Sequence, residues 1–175
     1  YSCKSLESVY IPGTVAEPDM YAFAYCTNLT SLTLGEGVTA VYASFAQGCE
    51  KLTEVNLPST LEYIGASAFE DTALSTLVLP ESVTTLGDYA FSGSGLTSVT
   101  INHTVEEFGA RVFSNCDKLV EVNIADGVET LGASAFYNCS ALEYVSLPGS
   151  LGEIGVYAFA GYGSNLKVLV LEEGI

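Results

Sequence analysis

The stretch GASAFYNC, Gly132 to Cys139, repeats the first five letters of GASAFEDT, Gly65 to Thr72, at a distance of 67 residues. A single recurrence carries little weight, so the columns around it decide the matter. Phenylalanine recurs as Phe23, Phe45, Phe69, Phe91, Phe113, Phe136 and Phe159, at intervals of 22 to 24 residues. Three or four residues after the first six of these comes a small side chain: Cys26, Cys49, Thr72, Ser94, Cys116 and Cys139, with Cys3 opening the series. With slight slippage a leucine follows in every unit, as Leu6, Leu29, Leu52, Leu74, Leu96, Leu119, Leu142 and Leu166. The unit is C-x-x-L-x-x-V-x-L-P-x-x-V-x-x-L-G-x-x-A-F, and about seven and a half copies fill the 175 residues. Self-similarity at a fixed period is the mark of a repeat architecture.

The physics of one unit follows from its letters. Val145 and Leu147, spaced by two, place both side chains on one face of a short strand. Pro12, Pro58, Pro80 and Pro148 at the strand ends cannot donate to a ladder, so they turn the chain. The glycines Gly65, Gly87, Gly109, Gly132 and Gly155 suit either a positive φ or close packing. The A-F corner is too short for a lasting helix and predicts a 3₁₀ or single helical turn that drops phenylalanine inward. One unit alone buries almost nothing. Stacked at about 4.8 Å per coil, seven to eight units make a mostly-β solenoid roughly 35 Å long, with a parallel sheet on one face.

Composition bounds the class. Hydrophobic residues make up 49% of the chain, enough for a sizeable core and against disorder. No apolar run approaches the roughly 20 residues that span a bilayer, so no membrane insertion is expected. Twenty-one acidic residues against five basic ones leave a net charge of −16. Nucleic acid and anionic lipid need clustered Lys and Arg, so neither is expected as a partner. The first residue is Tyr1 and no leader follows it, which suggests a mature or excised piece.

The columns and the A-F-x-x-C corner resemble the BspA-like class of leucine-rich repeats along the whole chain. The best matches run from Leu52 to Phe69, Leu119 to Cys139 and Leu142 to Phe159. The match departs at Pro18 and Asp19, at Tyr42 and Ser44, and by one extra residue before Cys49, so the first two coils are expected to be the least regular. The resemblance implies an α/β-type, right-handed leucine-rich-repeat solenoid of coils 22 to 24 residues long. It also implies an exported or cell-surface protein of the kind that attaches to host matrix proteins, host cells and other microbes.

Chemistry-bearing residues are few. All five cysteines share a column that also accepts Thr72 and Ser94, so free, buried thiols in a small niche are expected rather than disulfides. The only histidine, His103, reads as a solvated loop residue without a second imidazole, so no metal site is expected. No nucleophile, base and orienting acid can be assembled, so no enzyme and no cofactor are expected. Glu106 and Glu129 hold one unit position in adjacent coils and are expected to splay into water rather than hold calcium. Asn28, Asn102 and Asn138 open N-x-S/T sequons, which arise readily by chance in so Ser/Thr-rich a chain.

A ligand is expected on the outward sheet positions. They include Tyr10, Thr33, Glu54, Asn56, Thr76, Thr100, Glu121, Asn123 and Tyr144, with Ser146 and Val170 continuing the row. Such a flat Thr/Ser/Asn-rich face also satisfies plain β-propensity, yet it is the usual working surface of a solenoid. A second column, Tyr21, Tyr89 and Tyr157, is interrupted by Ala43, Ser67, Arg111 and Ser134. Tyr1 begins inside a unit and Ile175 stops at a turn, so residues 1–175 are expected to form one solenoid domain of a longer protein, or to pair end to end. The expected function is adhesion or protein binding to extracellular matrix or cell-surface proteins. The alternative is a carbohydrate-binding module of a secreted protein.

Overall fold

The L-x-x-V-x-L segments other than residues 74–79 become short strands, and the V-x-x-L segments after the first coil become shorter ones. The computed structural model describes residues 1–161 and 165–172, so Ile175 lies outside the described residues. Within them lie β1 (Ser8–Ile11), β2 (Ser31–Leu34), β3 (Ala40–Val41), β4 (Glu54–Asn56), β5 (Tyr63–Ile64), β6 (Thr85–Leu86) and β7 (Ser98–Ile101). The second half adds β8 (Glu107–Phe108), β9 (Glu121–Ile124), β10 (Thr130–Leu131), β11 (Tyr144–Leu147), β12 (Glu153–Ile154) and β13 (Val168–Leu171). No helix occurs among the described residues.

Like lies over like, as the period requires. Val9 pairs with Leu32 and Leu32 with Val55, all in parallel register. Farther along, Val99, Val122, Val145 and Leu169 form a second such row. The V-x-x-L strands build a second wall beyond the one sheet expected, in the orders β3-β5-β6-β8 and β10-β12. Between the walls the phenylalanines stand in single file. Successive ring centroids from Phe23 to Phe159 lie 5.4, 6.3, 5.5, 5.5, 5.5 and 5.4 Å apart.

The first two pairs of that file meet edge-on, and the rest stack face to face. Inter-coil bonds explain the change. Phe23 donates its amide to Phe45, whereas Ala46 and then Phe69 hold the donor position in the next coils. Phe45 therefore enters the core from the residue before its column, and its ring must tilt. For the same reason the second coil contributes Ser44, not Ala43, to the tyrosine column.

The corner is a turn with two left-handed residues, not a helical one. Positive φ occurs in pairs four residues apart: Tyr21 and Tyr25, Ser67 and Asp71, Arg111 and Asn115, Ser134 and Asn138. Glycine serves as the second member in two coils, at Gly48 and Gly93. Non-glycine residues pay about 1–2 kcal/mol for this conformation. Three inter-coil bonds per step offset it, as when the amides of Ser67, Phe69 and Asp71 donate to Asp88, Ala90 and Ser92, each at 2.8 Å. The G-x-x-A-F glycines prove to be packing residues. A Cβ on Gly132 would meet the Gly109 carbonyl oxygen at 2.0 Å.

The irregularity expected of the first two coils is there in part: the first forms no second-wall strand and the second carries Phe45 off its column, although Pro18 is buried and strands β1 and β2 pair without a break. A further interruption falls in the middle, where residues 76–79 form no strand and the first sheet divides into β1-β2-β4 and β7-β9-β11-β13. In that coil and the next, Leu follows the small column by two residues (Thr72 to Leu74, Ser94 to Leu96) rather than the three of Cys116 to Leu119. Only the first of these two coils loses its strand, since Ser98–Ile101 of the next still pairs with β9.

Candidate binding face

Strand alternation turns Val and Leu inward and leaves their neighbours outward. In register these neighbours form rows: Ser8, Ser31 and Glu54; Tyr10, Thr33 and Asn56. Beyond the break come Ser98, Glu121, Tyr144 and Val168, then Thr100, Asn123, Ser146 and Val170. The expected face is thus two patches, with Thr76 exposed between them. Tyr10 is 66% exposed and dominates the first. Tyr144 is half-buried, as are Thr33 and Asn123, while Glu54, Asn56, Thr100 and Glu121 are exposed. Ser146 is buried instead, its hydroxyl 3.4 Å from the Glu172 carboxylate on the next coil.

One arrangement occurs in both patches. Asn56 Nδ2 donates to Glu54 Oε1 at 3.2 Å and to Thr33 Oγ1 at 3.3 Å. Sixty-seven residues on, Asn123 Nδ2 donates to Glu121 Oε1 at 2.8 Å. Each amide fixes its glutamate while leaving carboxylate lone pairs free to accept from a ligand. No lysine or arginine occupies these rows, so the face is polar to acidic.

Away from the face, chemistry is sparse. His103 is exposed and stands 3.6 Å from Glu81. Glu106 and Glu129 are both exposed. Among the described residues no three His, Cys, Asp or Glu side chains converge as a metal site requires. Arg111 lies 5.8 Å from the ring centroids of Tyr89, in the tyrosine column, and of Tyr137, outside it, a cation–π contact to each.

The cysteine niche is a hydrogen-bonding position. Cys49 donates to the Phe23 carbonyl at 3.1 Å, Cys116 to Phe91 at 3.4 Å and Cys139 to Phe113 at 3.1 Å. Thr72 donates instead within its own coil, to the Phe69 carbonyl at 3.0 Å, so the column holds small donors that reach either carbonyl. All five thiols are free, and four are buried. Cys3 is exposed, against expectation. Burial pushes the Cys49 thiol up to about 11. Hydrogen bonding with Cys116, then burial, raises Cys139 as well.

The sequon asparagines also belong to the scaffold. Asn28 donates to the Lys4 carbonyl at 2.6 Å, Asn102 to Leu79 at 2.7 Å and Asn138 to Asn115 Oδ1 at 3.1 Å. Each ties its coil to the one before, a role the sequon reading missed and the spacing of the partners, 24, 23 and 23 residues, could have shown.

Stacked coils, paired walls and a filed aromatic core define a leucine-rich-repeat solenoid. The BspA type leucine rich repeat region matches in six copies over residues 1–96 and 62–175, and the chain belongs to that family. It resembles a leucine-rich repeat protein from Bacteroides ovatus ATCC 8483 at 25% identity and a TM-score of 0.79, over 95% of this chain and 48% of that one. The T. pallidum leucine rich repeat protein is 26% identical with a TM-score of 0.82, over 92% and 78% of the two chains. A leucine rich cell surface protein from Faecalibacterium prausnitzii A2-165 is 25% identical with a TM-score of 0.54, over 97% and 61%. The chain therefore spans about half the length of the Bacteroides protein. No curated protein matches the sequence.

Proposed function

We propose that this chain is a non-enzymatic interaction module, displayed at a cell surface or secreted, that binds protein ligands through its outward sheet positions. The observation that carries the reading is the twice-built Glu-x-Asn pair on an exposed, cation-free face, beside Tyr10 in one patch and Tyr144 in the other. Tyrosine supplies large contact area at low conformational cost, and the oriented carboxylates supply polar specificity. Membership in a family of interaction scaffolds and likeness to a protein named for the cell surface support the placement.

The test is capture from a panel of immobilised extracellular matrix proteins. Combining Tyr10→Ala, Tyr144→Ala and Glu121→Gln should weaken binding at least roughly tenfold, while Glu129→Gln, exposed beside the second-wall strand β10, should leave it unchanged. Binding that survives the triple substitution would refute the sheet-face reading. So would an absence of matrix binding together with retention on a glycan array.

A further inference from the structure

Between the first coil and the last, the inward side chains of the strand column are buried except beside the interruption of the first sheet. Leu32, Val99, Val122 and Val145 are all at most 2% exposed. Val55 and Leu77, which hold the same position in the third and fourth coils, are only half-buried, and so is Leu57. The cause is the lost ladder: residues 76–79 form no strand, and β4 is left paired with β2 alone. Elsewhere the same two coils stay bonded at one-coil spacing. On the second wall β5 pairs with β6, and at the corner the Ser67, Phe69 and Asp71 amides reach the next coil. The opening is therefore local, of a width for a side chain and not for a strand.

An open groove of about 530 Å³ lies over this opening. Val55, Leu57 and Val78 give it an apolar lining, and Val78 is 84% exposed. Its polar lining includes two carboxylates, both held in place. Glu36 accepts from the Ser59 amide at 3.0 Å and hydroxyl at 2.9 Å, while Glu54 accepts from Asn56 at 3.2 Å. Each keeps lone pairs free for a further donor. Among the described residues no lysine or arginine lines the groove or pairs with either glutamate.

We infer that this groove is a docking site for a long basic side chain, lysine or arginine, presented by a protein partner. Such side chains bury their aliphatic stems along apolar surface and keep the charge at a polar edge. Here the stem covers Val55, Leu57 and Val78, and the cationic head meets Glu36 and Glu54. Concave sites of this kind combine apolar lining with a few placed polar groups. An apolar side chain would fill the lining and leave both carboxylates unanswered, and a short cation would do the reverse. The inference rests on the protein-binding reading above and narrows it to one place and one partner chemistry.

The probe is an end-blocked peptide with one lysine flanked by glycines, titrated into the isotope-labelled chain and followed by amide chemical shifts. Saturable shifts should concentrate at Val55, Leu57, Thr76 and Val78. Norleucine in place of the lysine keeps the stem and loses the charge, while diaminopropionate keeps the charge and loses the stem. Each should bind roughly threefold or more weakly. Glu36→Gln and Glu54→Gln, which keep an acceptor for Ser59 and Asn56, should each weaken the lysine peptide by roughly threefold or more. Val78→Ser should do the same through the stem, and Glu129→Gln should change nothing. An unshifted remainder of the spectrum establishes that each variant is folded. No saturable shift, shifts spread over carboxylates outside the groove, or equal binding by the norleucine peptide or by the glutamine variants would overturn the inference. The two proposals fail separately. A lysine peptide that leaves the groove untouched, while the Tyr10/Tyr144/Glu121 variant still loses matrix capture, sinks this one alone. Groove binding alongside undiminished matrix capture by that variant sinks the sheet-face reading alone.

Discussion

Cys49 shows why one position in each coil is occupied by Cys, Thr or Ser. Its thiol must fit a niche with no solvent exposure and still reach the carbonyl of Phe23. A folded-state value of about 11 means the buried thiol holds its proton more tightly than the unfolded one does near 9.0. The stabilisation is therefore whole below pH 9 and is lost as pH rises toward 11. It is worth roughly 1–3 kcal/mol. Urea titrations at pH 8 and pH 11 should show a larger loss for the native protein than for Cys49→Ser, and equal losses would discount the mechanism. Alkylation of the folded protein at pH 8 should label Cys3 alone, the one exposed thiol, with five labels only after unfolding.

Strands and corners divide the work of the fold differently, and the sequence discloses them unequally. Inward columns are legible because burial demands apolar letters at fixed spacing, and Phe69, Leu96 and Val122 fall where the period puts them. The left-handed corner is not legible. Its residues are as unlike as Tyr89, Arg111 and Ser134, because about 1–2 kcal/mol of backbone strain is small against the inter-coil bonds that enforce it. The missing residue between Thr72 and Leu74 is visible in the letters, but its effect on the ladder depends on the neighbouring coils. The outward strand positions fall where the phase puts them, whereas the burial of Ser146 beside Glu172 is a contact no pattern announces. Among the stacked rings, position in the file sets the energetic weight. Phe91 is fully buried with Phe69 and Phe113 at 5.5 Å on either side, so Phe91→Ala should cost about 3–5 kcal/mol. Phe159, half-buried at the last described turn, should cost nearer ~1–2 kcal/mol. Chemical denaturation of both variants checks the ratio, and equal costs would argue against a one-dimensional stack.

At the scale of the molecule, charge and length meet. The chain carries a net −16, and among the described residues only two acid–base contacts occur, Lys167 with Glu143 at 2.7 Å and His103 with Glu81 at 3.6 Å. Most carboxylates thus face one another without relief, and each coil presents them at the spacing of the stack. A solenoid about 35 Å long is close to the ~30 Å Debye length at 0.01 M salt, so there every coil feels nearly every other. At 1 M the length falls to about 3 Å, less than one coil spacing of about 4.8 Å, and repulsion between coils is extinguished. Stability in a repeat stack is a sum over neighbouring interfaces, so a small repulsion at each one accumulates along the axis. Sodium chloride should therefore raise the melting temperature by roughly 2–4 °C between these limits, from about 1 kcal/mol of relieved repulsion. Most of the rise should come before about 0.1 M, where the Debye length has already dropped to ~10 Å, or two coils. Thermal unfolding followed by circular dichroism across that series tests it. A flat response, or one that grows only above 0.5 M as salting-out would, shows that the acidic surface imposes no strain on the stack.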